Sequence, residues 1–357
     1  MSSTFVGSSL RISIFGQSHS KAIGMTMDGL PAGIPISTDQ LQIFLNRRAP
    51  GRNDWSTPRK EEDQPEFLCG IKNGISCGTP LTAVIHNHNM RSSDYNSLRL
   101  CPRPGHADYT AQLKYKGFQD YAGGGHFSGR LTAPLCLAGG ILKQFLAQNS
   151  IHADARILRI ADVWDTAPFL SPVDGKDFPA VSDDAAVKMK QAIQDARQEN
   201  DSVGGVIECR ISGVPGGLGS PIFDGIENRI AQLAFAVPAV KGIEFGSGFA
   251  AAGMRGSEHN DAINVTGNRI KMKSNHAGGI LGGISTGEQI VFRVAIKPTP
   301  TIGKPQETVN LETLKPETLC IEGRHDPCIV PRAVPVLEAV AAIAISDFLI
   351  RGADVWN

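Results

Sequence analysis

"GLPAGIPISTDQLQIFLNR", Gly29–Arg47, has a second version later in the chain, "GVPGGLGSPIFDGIENRIAQLAF", Gly213–Phe235. Each follows a strand-like stretch, turns at Gly-x-Pro-x-Gly, and enters a helix near an Asp. In the first copy Ser37 or Thr38 can cap the helix, and Leu41, Phe44 and Leu45 recur at helical spacing. A second pair repeats in the same order: "GRLTAPLCLAGGILKQFL", Gly129–Leu146, and "PRAVPVLEAVAAIAISDFL", Pro331–Leu349. Two halves of similar plan follow. No linker composition separates them, so the expectation is an α+β fold: one large domain over residues 1–357, with layered β-sheets and helices built from two pseudo-repeated halves.

Composition narrows the class. Lys+Arg and Asp+Glu are both 35 in 357 residues, which argues against a nucleic-acid binder driven by bulk charge. With 39 Gly and 22 Pro, the chain should be rich in turns and close backbone approaches. Seven cysteines without a Cys-x-x-Cys pair read as reduced thiols, pointing to a cytoplasmic protein. The N-terminal residues lack the basic-then-apolar layout of a signal peptide. "VPVLEAVAAIAISDFLI", Val334–Ile350, is interrupted by Glu338 and Asp347 and reads as a buried helix rather than a membrane span.

Four stretches set basic or imidazole side chains beside glycine: "GQSHS" with His19; "RRAPGR" with Arg47, Arg48 and Arg52; "RPGHAD" with Arg103 and His106, continued by "GGGHFSGR" with His126, Ser128 and Arg130; and "GRHDP" with Arg324, His325 and Asp326. Arginine forks grip phosphate and carboxylate, and glycine lets backbone N–H groups approach an anion. A polyanionic small-molecule ligand is the reading these share. "GGGHFSGR" lacks the strand and later acid of a dinucleotide fingerprint. "HNH", His86–His88, could offer two imidazoles to a metal, but no third ligand has a persuasive spacing, so a solvated strand end is preferred and no metal is expected.

Together, in this order, the stretches resemble chorismate synthases. The family opening Phe-Gly-Glu-Ser-His-Gly appears as Phe15–Ser20, "FGQSHS". "RPGHADYT" (Arg103–Thr110), "SNHAGGILGGISTGEQI" (Ser274–Ile290), "KPTPT" (Lys297–Thr301) and "GRHDPC" (Gly323–Cys328) also match, and the likeness covers nearly the whole chain.

The resemblance implies a β-α-β sandwich and a lyase. Family members eliminate phosphate from 5-enolpyruvylshikimate 3-phosphate in a 1,4 sense to give chorismate, the last step of the shikimate pathway. They require reduced FMN without net redox change. By that likeness His19 is the proton donor to the leaving phosphate, His106 serves the reduced flavin, and Asp326 is a proton relay. Arg48, Arg103, Arg130 and Arg324 would hold substrate. Arg48, His126, Phe127, Ser128, Ala239, Gly282, Lys297, Pro298, Thr299, Pro300, Thr301 and Arg324 would contact the flavin. A homotetramer is implied, with no nucleic-acid or membrane partner, and NADPH or an external flavin reductase is left open as the electron source. Departures are Gln17 for Glu, Ser20 for Gly, His126, Phe127 and Gly129 for Arg, Ser and Ala, Leu131 for Glu, and Pro238 for Asn. They leave as alternative a non-catalytic descendant that binds flavin or a phosphorylated acid.

Overall fold

The computed structural model describes residues 3–51, 55, 61–87, 99–267, 269–321 and 326–356. The first half runs β1 (Thr4–Val6), β2 (Arg11–Gly16), β3 (Ala22–Asp28), α1 (Thr38–Arg48), β4 (Pro65–Cys69), β5 (Ile71–Lys72), β6 (Ile75–Ser76), β7 (Leu81–His86), α2 (Asp108–Tyr115) and α3 (Thr132–Gln148). The second runs β8 (His152–Ile160), β9 (Val163–Trp164), α4 (Asp183–Gln198), β10 (Gly205–Ser212), α5 (Ile226–Phe235), β11 (Val240–Phe245), α6 (Gly256–His259), β12 (Ile263–Thr266), β13 (Arg269–Met272), β14 (Ile280–Leu281), β15 (Ile284–Ser285), β16 (Ile290–Ile296), β17 (Gln306–Val309), β18 (Pro316–Leu319) and α7 (Val330–Trp356).

The duplication read from the sequence is a duplication of topology. One antiparallel sheet has the order β1-β2-β3-β7-β4 and the other β11-β16-β10-β8-β9. Read from its other edge, the second sheet matches the first in four strands: β8 with β2, β10 with β3, β16 with β7, β11 with β4; the fifth, an edge strand, precedes β2 in the first sheet (β1) and follows β8 in the second (β9). The turns match in detail. Gly29 and Gly213 have φ of +91° and +80°. A Cβ there would lie 2.1 Å from the carbonyl oxygen of Ser9 and of Ser150 respectively, so only glycine fits either turn. Ser76 Oγ accepts from Ile34 N and donates to Pro31 O. Ser285 Oγ does the same with Leu218 N and Pro215 O.

Between the sheets lies a layer of helices. α3 packs on β3, α7 on β8 and β10, and α3 packs along α7, with α1 and α5 beside them. One apolar core runs from Met25 and Leu81 through Leu137 and Val340 to Phe292. The two central helices approach closely because Gly139 faces Ala339; a Cβ on Gly139 would lie 2.2 Å from the alanine methyl. Ser37 caps α1, its Oγ accepting from Gln40 N, and Leu41, Phe44 and Leu45 form its buried stripe.

α7 is long and apolar enough over Val330–Arg351 to cross a bilayer, yet it is packed inside the fold. Its acids have partners. Glu338 receives Arg47 from α1 (2.7 Å), Lys143 from α3 (2.6 Å) and the amide of Ala155 from β8 (3.3 Å). Asp347 accepts from the amides of Ser8, Ser9 and Leu10 and from Arg229.

Burial opposes ionisation of Glu338, but Lys143 and Arg47 outweigh it and hold the carboxyl at about 2, against an ordinary 4.5. Its stabilising contribution is therefore complete above about pH 4.5 and is lost as pH falls toward 2. Glu338→Gln should cost about 2–4 kcal/mol at pH 7, because two half-buried cations lose their buried counterion, and should flatten the acid limb. Urea unfolding of both forms between pH 7 and 2 checks this; parallel pH profiles would remove the ion cluster from the stability of the fold.

Candidate active site

The site is built mainly from two equivalent connections. In the first half the chain leaves β7 and returns at α3; in the second it leaves β16 and returns at α7. Long connections between packed elements are where functional side chains collect.

The glycine run of the first connection places the two histidines. Gly123, Gly124 and Gly125 have φ of +61°, +85° and +54°. A Cβ on Gly123 would lie 2.1 Å from His19 Cε1, and one on Gly124 would lie 3.2 Å from His106 Nε2. His19 and His106, 87 positions apart by number, thus pack against successive residues of one bare backbone. The His19 loop is pinned by Ser18 N donating to Gly125 O (3.0 Å) and by Asn87 Nδ2 donating to Ser20 O (2.8 Å). Ser20, a departure from the family pattern, turns its hydroxyl inward: it accepts from Gln17 N (2.9 Å) and donates to Ala22 O (2.7 Å).

His106 is oriented by Asp108, whose Oδ1 lies 2.5 Å from Nδ1. The same carboxylate accepts from Arg103 Nε (2.7 Å) and Nη2 (2.9 Å). Burial would raise the Asp108 carboxyl, but hydrogen bonds from Arg103 and His106, with their charges, hold it well below the carboxylate range. A proton on Nδ1 serves this short contact, which leaves Nε2 facing Gly124.

The second connection docks on this loop. Arg103 Nη1 donates to Thr301 Oγ1 (3.1 Å), Lys297 Nζ donates to Gly105 O, and Pro300 packs against Gly105. Lys297 N donates to the carbonyl of Ala239, whose φ is +73°. Burial, with Lys241 nearby, lowers the Lys297 ammonium. Thr299 Oγ1 donates to Asp326 O (2.6 Å). The Asp326 carboxylate takes Arg332 Nη1 on Oδ2 (2.6 Å), while Oδ1 is buried with no partner among the described residues. Burial raises this carboxyl above its usual value despite Arg332.

Arg332 carries the chain of contacts onward, donating from Nε to Arg48 O (3.0 Å). Arg48 and Arg130 meet on one carboxylate. Asp63 Oδ2 accepts from Arg48 Nε (2.9 Å) and Nη2 (2.5 Å), and Asp63 Oδ1 accepts from Arg130 Nη1. Arg130 Nε lies 3.0 Å from Glu61 Oε2 and 3.2 Å from Asn87 Oδ1. Since Asn87 also holds Ser20, the contacts close into a ring that returns to the His19 loop.

His19, Arg48, Arg103, His106, Arg130, Lys297, Pro300, Thr301 and Asp326 are therefore drawn together. His126, Phe127 and Ser128 border them in local roles: His126 bridges Gly16 O (2.8 Å) and Ser3 Oγ (2.5 Å), Phe127 packs on Tyr115, and Ser128 Oγ accepts from Arg130 N. Gly282 stands apart, in the β14–β15 turn, whose next residue Gly283 packs on Ser220 and Gly225. Arg52, His88, Arg324 and His325 lie outside the described residues. The strand read through "HNH" ends at His86, which pairs on the surface with Glu66 (2.8 Å). No group of three or more potential metal ligands occurs among the described residues.

The sequence reading missed Asp63, Glu61, Asn87 and Arg332. Glu61 and Asp63 sit in a charged stretch that resembled solvated loop, and Arg332 passed for a helix start.

The family model for chorismate synthase matches residues 10–350. The chain belongs to the chorismate synthase family. Chorismate synthases of Korarchaeum cryptofilum and Lancefieldella parvula are 45% and 46% identical to it, covering 98% of this chain in each case and 98% and 96% of the relative. That of Methanosarcina barkeri is 44% identical, covering 98% of this chain and 97% of the relative. A crystal structure of a chorismate synthase superposes with a TM-score of 0.76 at 28% identity, covering 96% of this chain and 92% of that one. The protein is accordingly a lyase acting on phosphate, and the family requires a reduced flavin. The donor set fits such a group: Lys297, Arg103 and Thr301 offer cations and a hydroxyl beside His106, and Asp326 Oδ1 has no partner among the described residues.

Gly123→Ala should act as a remote copy of a His19 substitution. The added methyl cannot share space with the imidazole, so turnover should fall at least tenfold while the far-UV spectrum stays unchanged. Steady-state kinetics against circular dichroism checks it; normal turnover would show that the ring position is not constrained by this backbone.

Proposed function

We propose that the protein converts 5-enolpyruvylshikimate 3-phosphate to chorismate with reduced FMN. The observation that carries this is the placing of His19 and His106 on successive residues of one glycine backbone, with Arg103, Arg48 and Arg130 around them. The substrate loses phosphate and one hydrogen in a 1,4 relation, and no net electrons are gained or lost. Reduced FMN, when bound, supplies the electron density that eases cleavage of the carbon–oxygen bond.

The side chains have separable tasks. His19 gives a proton to the departing phosphate, a better leaving group when protonated. Arg48, Arg103 and Arg130, with Arg324, match the charge of the phosphate and the two carboxylates. His106, its Nδ1 fixed by Asp108, presents Nε2 toward the flavin. Asp326 has the raised carboxyl expected of a relay that must hold a proton at times. Lys297, Pro298, Thr299, Pro300 and Thr301, with Ala239, His126, Phe127 and Ser128, border the flavin in this reading.

We read residues 1–357 as one domain, because a single core runs through both halves. A cytoplasmic homotetramer, with NADPH or a separate flavin reductase as electron source, belongs to the same proposal and rests on the family likeness.

His19→Ala and His106→Ala should each lower turnover by about 10²–10⁴-fold, the usual contribution of a general acid or base, with folding intact. Anaerobic titration should show FMN bound more tightly in the presence of substrate. Turnover near wild type in both variants, or a flavin spectrum indifferent to substrate, would sink the assignment.

A further inference from the structure

Two of the arginines assigned to substrate, Arg48 and Arg130, do not stand alone; one carboxylate stands between them. Asp63 is fully buried, as is Arg48, while the Arg130 side chain is 6% exposed. Two guanidiniums brought together away from water repel one another unless an anion separates them. The Asp63 carboxylate gives one oxygen to each, and the arginines hold it ionised against its burial, well below the usual carboxylate range. Its backbone has φ +48°, in the left-handed region that aspartate tolerates.

The donors that remain are informative. On Arg48, Nε and Nη2 are taken by Asp63, and Nη1 makes only a long bond (3.3 Å) to Thr132 Oγ1, itself held by Gly129 O. On Arg130, Nε meets Glu61 and Asn87, Nη1 meets Asp63, and Nη2 makes no hydrogen bond among the described residues. Arg48 is thus engaged at all three guanidinium nitrogens inside the fold, whereas Arg130 keeps Nη2 without a partner among the described residues.

We propose that Asp63 is the positioning residue for the anion site of this enzyme: backed by the buried Arg48, it sets the plane and place of Arg130, so that Arg130 Nη2 receives an anionic group of the substrate. The proposal rests on the reading that Arg130 binds substrate. Asp63 is not a stand-in that substrate expels, because a fully buried carboxylate has no route to water. A fixed carboxylate spares the substrate the work of ordering the long Arg130 side chain, and such preorganisation appears as affinity.

The test uses two variants and direct binding of 5-enolpyruvylshikimate 3-phosphate by calorimetry, alongside steady-state kinetics with reduced FMN. Asp63→Asn keeps the shape but removes the charge and turns an amide N–H₂ toward a guanidinium. Asp63→Glu keeps the charge and moves it by one methylene, so a fold that needs only neutralisation should melt near wild type. Both should weaken substrate binding and raise KM by about 10- to 100-fold, with a smaller change in kcat, as expected when a charged hydrogen bond is lost or misaligned. Asp63→Asn should add little to the loss caused by Arg130→Ala, since residues of one network are coupled. Wild-type or tighter binding by folded Asp63→Glu, or full additivity with Arg130→Ala, would overturn the proposal. Arg130→Ala without effect on binding would instead overturn the substrate reading beneath it.

Discussion

The layers of this fold are tied at one buried carboxylate. Glu338, 1% exposed in the middle of α7, joins α1 through Arg47, α3 through Lys143 and β8 through the Ala155 amide. An unpaired charge at that depth would be very costly. Both cations must therefore reach it, and α1 and α3 are fixed in angle and height against α7. The site inherits this rigidity directly: Arg48 is the next residue after Arg47 at the end of α1, and Thr132, which it contacts, opens α3.

Duplication explains where the chemistry lies. Each half contributes a strand-to-helix connection at the same topological place, β7 to α3 and β16 to α7, and the fold brings the two together. The halves diverged in what these connections carry. The first supplies Arg103, His106, the glycine run and Arg130; the second supplies Lys297, Thr301 and Asp326. The Gly-x-Pro-x-Gly turns stayed alike because their constraint is steric, a carbonyl oxygen where a Cβ would otherwise be.

Carboxylates do as much in the site as the basic groups that first draw attention. Asp108 sets His106 and Arg103, Asp63 joins Arg48 to Arg130, and Asp326 links Thr299 to Arg332. Each is buried enough that its state is decided by its neighbours. Guanidinium and imidazole donors pull Asp108 and Asp63 down, whereas Asp326, with one cation and one bare oxygen, is left raised. Acids pushed apart in this way on one scaffold can serve different proton tasks.

The sequence by itself determined the repeated plan, the α1 helix with its serine cap, the buried nature of α7 and the family, because these rest on local periodicity, turn sterics and long motifs. It also marked His19, His106 and Asp326 through those motifs. Tertiary structure decided that Gly123 and Gly124 carry the two histidines on one backbone. It showed His126 as a strut to Gly16 and Ser3, and placed Gly282 in a turn against Ser220 and Gly225. It also found partners for the arginines in Asp63, Glu61, Asn87 and Arg332. None of these four partners has a signature, since a charged run such as "KEEDQ" looks the same whether solvated or buried. Which it becomes depends on two arginines that lie 82 positions apart in number and meet only when the sheets close over the helices.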